Sequence, residues 1–313
     1  MTTPSAASLA KLRENVGLAY RGEPRAVDLL LTALLSRGHV LIEDVPGVGK
    51  TTLARALGRS LSLDFRRIQF TSDTLPADVI GISVFHSGSD RFEFHPGPIF
   101  ANIVLADEIN RATPKTQSAL LEAMNEGAVT VESERRVLPQ PFMVVATQNP
   151  VEYLGTYPLP ESQMDRFFLR LSLGYPAEEE EKMLLRRGGT ERVLAAIPSV
   201  LDPEQVLGLQ EAAEKVVVAE RLLDYLHSLV RATRQTAELR LPVSTRGAQA
   251  LYRATQAHAL LGARGYATPD DAHAIAEAVL AHRILSVSSD GFGAGGREKE
   301  IVRKILAQVP VPV

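Results

Sequence analysis

The chain of 313 residues contains no cysteine. Disulfides, thiolate metal sites and cysteine nucleophiles are therefore excluded, and the absence suits a reducing compartment, so a cytoplasmic protein is expected. Long apolar runs are missing too. The most apolar region, residues 27–45, is interrupted by Arg37, Glu43 and Asp44, so no membrane-spanning helix is predicted. Residues 1–10 are polar and lack the apolar core of a secretion signal. A strong charge of either sign is also absent. The formal net charge of −3 offers no global attraction to nucleic acid. With 45% hydrophobic and 23% charged residues, the composition is that of a globular chain with room for one large domain or two smaller ones.

What is present is punctuated by one segment above all, His39-Val-Leu-Ile-Glu-Asp-Val-Pro-Gly-Val-Gly-Lys-Thr51. It reads as a buried strand, a tight glycine turn, and Lys50-Thr51 opening a helix, the build of a phosphate-binding loop. Such a turn aims backbone N–H groups at an anion, and the helix N-terminus adds partial positive charge. Lys50 is placed to reach the β- and γ-phosphates, and the Thr51 hydroxyl to ligate Mg²⁺. Gly47, Gly49, Lys50 and Thr51 fit the pattern G-x-x-x-x-G-K-[ST], while Asp44 occupies the place of its first glycine.

Further strands are expected at residues 65–70, 101–106, 142–147 and 167–173, alternating with helices, which implies a parallel α/β sheet. Hairpins are expected around Ser87-Gly88-Ser89-Asp90 and around Glu132-Ser133-Glu134-Arg135. After Tyr175-Pro176 the pattern changes: residues 178–187, 203–214, 219–236, 245–261, 269–285 and 297–308 carry helical periodicity with no comparable strand signal. Residues 286–296 are rich in Gly and Ser and read as a mobile loop. His39, His86 and His95 show no metal-ligand spacing, and the run Glu178–Glu181 reads as the solvated start of a helix.

Chemistry gathers at the ends of the expected strands. Ile103-Val-Leu-Ala-Asp107-Glu108 is an apolar strand ending in two acids, where open sheets bind ligands. Asp107 would hold Mg²⁺ through its water shell, and Glu108 would orient or deprotonate a water attacking the γ-phosphate. Such acids also cap helices, but the pairing with the Lys50 loop favours the catalytic role. Val144-Val-Ala-Thr-Gln-Asn149-Pro150 ends another strand in an amide that can help position the water, or simply opens a turn. Arg166, in Met164-Asp165-Arg166-Phe167, can stabilise charge at a γ-phosphate, including from a neighbouring subunit, or can pair locally with Asp165 or Glu161. Arg246, in Val243-Ser-Thr-Arg246-Gly247, stands in the first turn of a helix capped by Ser244 or Thr245, the unfavourable end of the dipole for a cation. That placement points to a functional anionic partner.

Taken together, these segments resemble the AAA+ ATPases and, within them, the MoxR family. The resemblance also includes Gln69-Phe-Thr-Ser-Asp73, Pro96-Gly-Pro-Ile-Phe100, Gln117-Ser-Ala-Leu-Leu-Glu-Ala-Met124, Pro160-Glu-Ser-Gln-Met164 and Ile305-Leu-Ala-Gln-Val-Pro310. It implies a P-loop NTPase core of αβα layers over residues 1–175, with hairpin inserts at about 82–95 and 128–139, and an all-helical lid over residues 176–313. By resemblance, the Walker A loop binds ATP through Pro46, Gly47, Val48, Gly49, Lys50, Thr51 and Thr52, with Gly22 beside the adenine. Asp107 and Glu108 are similar to Walker B, with Thr51 and Asp107 the Mg²⁺ residues. Asn149 resembles sensor 1, Arg166 the arginine finger and Arg246 sensor 2, although the usual sensor 2 context is Gly-Ser-Pro-Arg-Ala. The family implies a homo-hexameric ring, permanent or assembled only with ATP, acting like a chaperone in protein maturation or in metal or cofactor insertion. Its partner is often a protein with a von Willebrand factor A-type domain. A ring motor on nucleic acid is the alternative, kept open by Arg135 and Arg136 near a hairpin tip. A nucleotide-gated module with little turnover is a third reading, which Glu108 argues against.

Overall fold

In the computed structural model, residues 6–88, 90–149, 156–187, 191–288 and 296–312 are described. Five strands form one parallel sheet: β1 (Val40–Glu43), β2 (Phe65–Gln69), β5 (Ile103–Asp107), β8 (Met143–Gln148) and β9 (Leu169–Leu171), in the spatial order β2-β5-β8-β1-β9. The central strands are buried on both faces, hence their continuous apolar sequences. Alternation along β5 shows this directly. Ile103 and Leu105 belong to one hydrophobic cluster, and Val104 and Ala106 to the other. The first cluster lies under the helices Ala6–Ala19, Pro24–Leu35 and Lys50–Ser60; the second lies under Pro114–Glu126.

Two antiparallel hairpins leave this core. The first joins β3 (Gly81–His86) to β4 (Arg91–Pro96) and exposes Ile82, Phe85 and Phe92; the rings of Phe85 and Phe92 lie 5.2 Å apart. Its expected turn includes Ser89, which lies outside the described residues, and His95, expected in a loop, pairs with Ile82 within the hairpin. The second joins β6 (Ala128–Val131) to β7 (Glu134–Val137). Glu132 and Ser133 both take positive φ, 51° and 70°, so the turn is a two-residue one whose twist matches the strands. The hairpins touch where the Arg136 guanidinium stacks 4.0 Å over the Phe94 ring.

Beyond β9 the chain is mainly helical: Glu178–Arg187, Glu191–Ala196, Pro203–Glu214, Glu220–Gln235, Thr245–Leu261, Pro269–Leu280 and Gly296–Gln308. It is not wholly so. A ribbon of β10 (Leu239–Leu241) and β11 (Leu285–Ser286) corrects the expectation of an all-helical region. The helix expected over 269–285 ends early for a related reason. Its last turn tightens at Ala281–Arg283, where His282 and Arg283 turn inward to the carbonyls of Phe167 and Phe168. The strand expected over 167–173 is shorter, Leu169–Leu171: the Phe167 and Phe168 carbonyls before it accept from His282 and Arg283, and Ser172 and Leu173 after it donate to Asp44. Residues 289–295 of the expected mobile loop lie outside the described residues. The helical region shares the first hydrophobic cluster with the sheet, through residues such as Leu30, Leu251 and Ile275. Among the described residues, no helix is long and apolar enough to cross a membrane.

His39 locks the sheet to its flanking helix. Its Nε2–H donates to the Met124 carbonyl at 2.9 Å, and its Nδ1 accepts from the Val144 N–H at 2.9 Å. Burial pushes its pKa from 6.5 down to about 4. Because the folded-state value lies below the unfolded one, the unfolded chain binds more protons between these limits. The stabilisation is complete above pH 6.5 and is lost as pH falls toward 4, by up to about 3 kcal/mol. Urea midpoints should therefore drop across this window, and His39→Gln should flatten the drop, although buried His282 adds one of the same sign. A profile as steep in the variant as in the parent would exclude His39 as its source.

Candidate active site

The loop between β1 and the helix Lys50–Ser60 needs two left-handed residues, and glycines supply them: Gly47 has φ 88° and Gly49 φ 97°. A Cβ at Gly47 would touch nothing within 4 Å, so the requirement there is conformational. Lys50 bends back over the loop and donates to the Asp44 carbonyl at 2.6 Å. Burial lowers its pKa, against the pull of Asp44, Asp107 and Glu108. Pro46, Gly47, Gly49, Lys50, Thr51 and Thr52 line a cleft of about 360 Å³ together with Asp107, Glu108 and Asn149. The Val48 side chain turns into the core, which leaves only its backbone to the loop. Gly22 lies outside this lining, to one side of the loop. Tyr20 folds back over it, so that a Cβ there would meet the phenol oxygen at 2.1 Å, and the same ring approaches Gly49.

β5 and β8 bring the acids to this cleft. Thr147 knits them in place: its hydroxyl donates to Asp107 Oδ1 at 2.5 Å and accepts from the Glu108 N–H at 2.9 Å. Glu108 is held in the left-handed region, φ 58° and ψ 48°, at a cost of roughly 1–2 kcal/mol for a residue with a side chain. That turn swings its carboxylate off the strand axis, where Oε2 accepts from Gln69 Nε2 at 2.9 Å and Arg111 Nη1 at 3.0 Å. Asp107 Oδ2 accepts from the Arg67 guanidinium at 2.6 Å. Arg67 also lines the cleft. Thr51 and Asp107 thus offer a hydroxyl and a carboxylate to one space, the oxygen donors a hard divalent cation prefers, and Arg67 shows that the position attracts positive charge.

The arginines lie elsewhere. Strands of a parallel sheet all exit on one edge and enter on the other. Lys50, Glu108 and Asn149 follow β1, β5 and β8, whereas Arg166 precedes β9, beside residues 37–39 that precede β1. A four-residue strand such as β1 spans roughly 13 Å, so Arg166 and Lys50 stand at opposite edges. Arg166 donates to the Leu121 carbonyl at 3.1 Å and lines a cleft of about 660 Å³ between sheet edge and helical region. Arg246 lines this second cleft with it. The structure therefore groups Arg246 with Arg166 and not with the Lys50 loop of its own chain. Ser244, not Thr245, caps the helix, accepting from the Gly247 N–H at 3.0 Å. Local pairing of Arg166 with Asp165 does not occur: Asp165 is taken by Arg283 at 2.9 Å and by the Ser244 hydroxyl at 3.0 Å.

Sequence reasoning missed Arg67, Gln69, Arg111 and Thr147. The signal available for Thr147 was its place on the strand before Asn149, beside the one ending in Asp107. Thr147→Val keeps the shape and removes both hydrogen bonds, leaving a buried N–H at a cost of about 1–3 kcal/mol. Steady-state phosphate release should fall by about tenfold or more with the melting temperature lowered, and Thr147→Ser should retain most of both. Full turnover in the valine variant would show that the hydroxyl does not set the acids.

Comparison with known proteins places the chain in a family. The model of the ATPase family associated with various cellular activities (AAA) matches residues 39–169, and that of the AAA lid domain matches residues 231–305. The chain is 47% identical over 305 residues to the uncharacterised protein YeaC of Bacillus subtilis, covering 97% of this chain and 95% of that one. It is 38% identical over 300 residues to Chaperone MoxR1 of Mycobacterium tuberculosis, covering 93% and 79%. A crystal structure from Cytophaga hutchinsonii, presented as a candidate ATPase, superposes with a TM-score of 0.88 at 35% identity, over 98% of this chain and 96% of that one. The chain belongs to the MoxR family of AAA+ ATPases, and its reaction is the hydrolysis of ATP.

Proposed function

We propose that the chain works as a ring of identical subunits, a hexamer by family analogy, that couples ATP hydrolysis to chaperone-like remodelling of a protein client. The observation that carries this is the separation of Arg166 and Arg246 from Lys50 within one chain. Two cations aimed away from their own phosphate loop are useful to the loop of a neighbour. A patch on one face that serves a site on the other makes a head-to-tail contact, and such contacts close into rings or run on as filaments.

In this reading ATP lies in the Lys50 cleft, with Gly22 on its base side. Backbone amides of residues 46–52 cradle the phosphates, and Lys50 leaves the Asp44 carbonyl for the β- and γ-oxygens. Mg²⁺, when bound at Thr51 and Asp107, would neutralise phosphate charge. Glu108 accepts a proton from the attacking water, and Asn149 holds that water in line. Arg166 of the adjacent subunit stabilises charge on the γ-phosphate, and Arg246 joins it. Loss of that phosphate removes the anion both arginines share, and the helical region, hinged near residue 175, shifts against the sheet. The hairpins would carry this motion to the client. A protein client suits them: Phe85, Phe92 and Val137 are exposed, while Arg135 and Arg136 are engaged by the Glu126 carbonyl, by Glu134 and by Phe94. The name of Chaperone MoxR1 supports the remodelling role. A von Willebrand factor A-type partner, metal or cofactor insertion as the work, and a cytoplasmic setting come from family analogy.

Glu108→Gln should bind ATP but hydrolyse it at least about a hundredfold more slowly, and Lys50→Ala should bind it poorly. Mixing Glu108→Gln with Arg166→Ala subunits should restore turnover, because some interfaces then pair an intact Glu108 with an intact Arg166. Arg246→Ala should complement Glu108→Gln in the same way. Absence of rescue in both mixtures would exclude a site shared between subunits.

A further inference from the structure

Asp44 stands where phosphate loops of this pattern carry glycine, and a glycine could make none of its side-chain bonds. The carboxylate is buried and turned away from the cleft. Its Oδ2 accepts from Ser172 Oγ at 2.8 Å, from the Leu173 N–H at 2.7 Å and from the Gly174 N–H at 2.7 Å. Its Oδ1 accepts from the Val45 N–H at 2.8 Å. Burial works against ionisation here, but the four donors outweigh it and hold the carboxyl below its ordinary pKa.

The residues it grips, Ser172–Gly174, are the first after β9. Gly174 takes the left-handed conformation, φ 64°; Tyr175, 76% exposed, and Pro176 follow, and then the helix Glu178–Arg187. On its other side Asp44 holds Lys50. The Asp44 carbonyl that accepts from Lys50 Nζ and the Val45 N–H that donates to Oδ1 belong to one peptide unit, which is planar and turns as a body.

We infer that Asp44 is a positioning residue that transmits occupancy of the phosphate loop to the joint at Gly174. When Lys50 leaves for phosphate, the Asp44–Val45 peptide loses the cation that held its oxygen. Any turn of that peptide moves the Val45 N–H, and the carboxylate bonded to it pulls on the backbone of Ser172–Gly174. The hinge near residue 175 thereby receives a signal from its own nucleotide, separate from the one that Arg166 and Arg246 receive from the neighbour's. This inference rests on the reading that ATP phosphates engage Lys50.

The test compares the full-length parent with Asp44→Gly, which restores the ordinary glycine, and with Asp44→Asn. Binding of a fluorescent ADP analogue, steady-state ATP turnover, and amide hydrogen exchange over residues 172–176 with and without Mg·ADP are measured. In the parent, exchange at Leu173 and Gly174 should change on nucleotide binding. In Asp44→Gly, nucleotide affinity and KM should stay within about threefold, kcat should fall about tenfold, and the nucleotide-dependent change in exchange should vanish. Asp44→Asn should fall between. A variant that merely melts lower while keeping kcat and the nucleotide-dependent exchange would overturn the inference. Should Asp44→Gly fail to fold, Ser172→Ala removes one donor and should weaken the exchange response; an unaltered response there and in Asp44→Asn overturns the inference as well. No binding of the analogue by the parent would instead sink the functional reading, and this inference with it.

Discussion

Everything in this molecule follows from the polarity of its sheet. In a parallel sheet each residue that follows a strand is confined to one edge, and each that precedes a strand to the other. Lys50, Asp107, Glu108 and Asn149 share a cleft because β1, β5 and β8 are neighbours running the same way. Arg166 is excluded from that cleft by the same rule. No rotamer of an arginine crosses the width of a sheet, so a chemistry that needs both Lys50 and Arg166 at one phosphate needs two chains.

The second constraint is the clamp between the sheet edge and the helical region. Arg283 is fully buried, and burial pushes its pKa down to about 10 despite Asp165 beside it. A buried charge of this kind is tolerated only when its donors are used. Arg283 gives its Nε to Asp165 and its other nitrogens to the carbonyls of Phe167, Phe168 and Val279. The remaining oxygen of Asp165 accepts from Ser244, which caps the helix bearing Arg246. Arg166 is the residue after Asp165. Arg166, the Ser244 cap and the Arg283 clamp are therefore one body, and Arg166 and Arg246 keep a fixed spacing because a single carboxylate holds both of their supports.

Much of this was legible in the residues, and the reason lies in how local each signal is. The helix Thr245–Leu261 is readable because a capping hydroxyl, of Ser244 or Thr245, marks the start and the apolar stripe carries the rest. The strand ending in Asp107-Glu108 is readable because a central parallel strand must be apolar on both faces. Signals that depend on distant partners were not readable. Thr147 finds Asp107 across 40 residues, and Asp44 finds Gly174 across 130, only once the register of β5 with β8 and of β1 with β9 is set. The ribbon of Leu239–Leu241 with Leu285–Ser286 has too few residues to show alternation. Arg246 stands out by its place in the first turn of a helix, and that place does not say which edge of which chain it faces.

These separate facts converge on β9. It has three residues and, within the sheet, pairs with β1. Asp165, before it, is fastened to the helical region through Arg283 and Ser244. Ser172, Leu173 and Gly174, after it, are fastened to the phosphate loop through Asp44. Between them Arg170 forms a buried pair with Glu43 of β1 at 3.0 Å, which fixes the register of the two strands. A short strand with both ends bonded and its middle pinned does not stretch, and sliding it would break the ladder to β1 and strand two buried charges. It can pass on a displacement only by tilting as a unit. A displacement at the phosphate loop would then reach the Arg166 edge of the same chain, and one at that edge would reach the loop. Reciprocity of this kind is what linkage requires of any two coupled sites, and the element that joins these two edges is the smallest strand of the sheet.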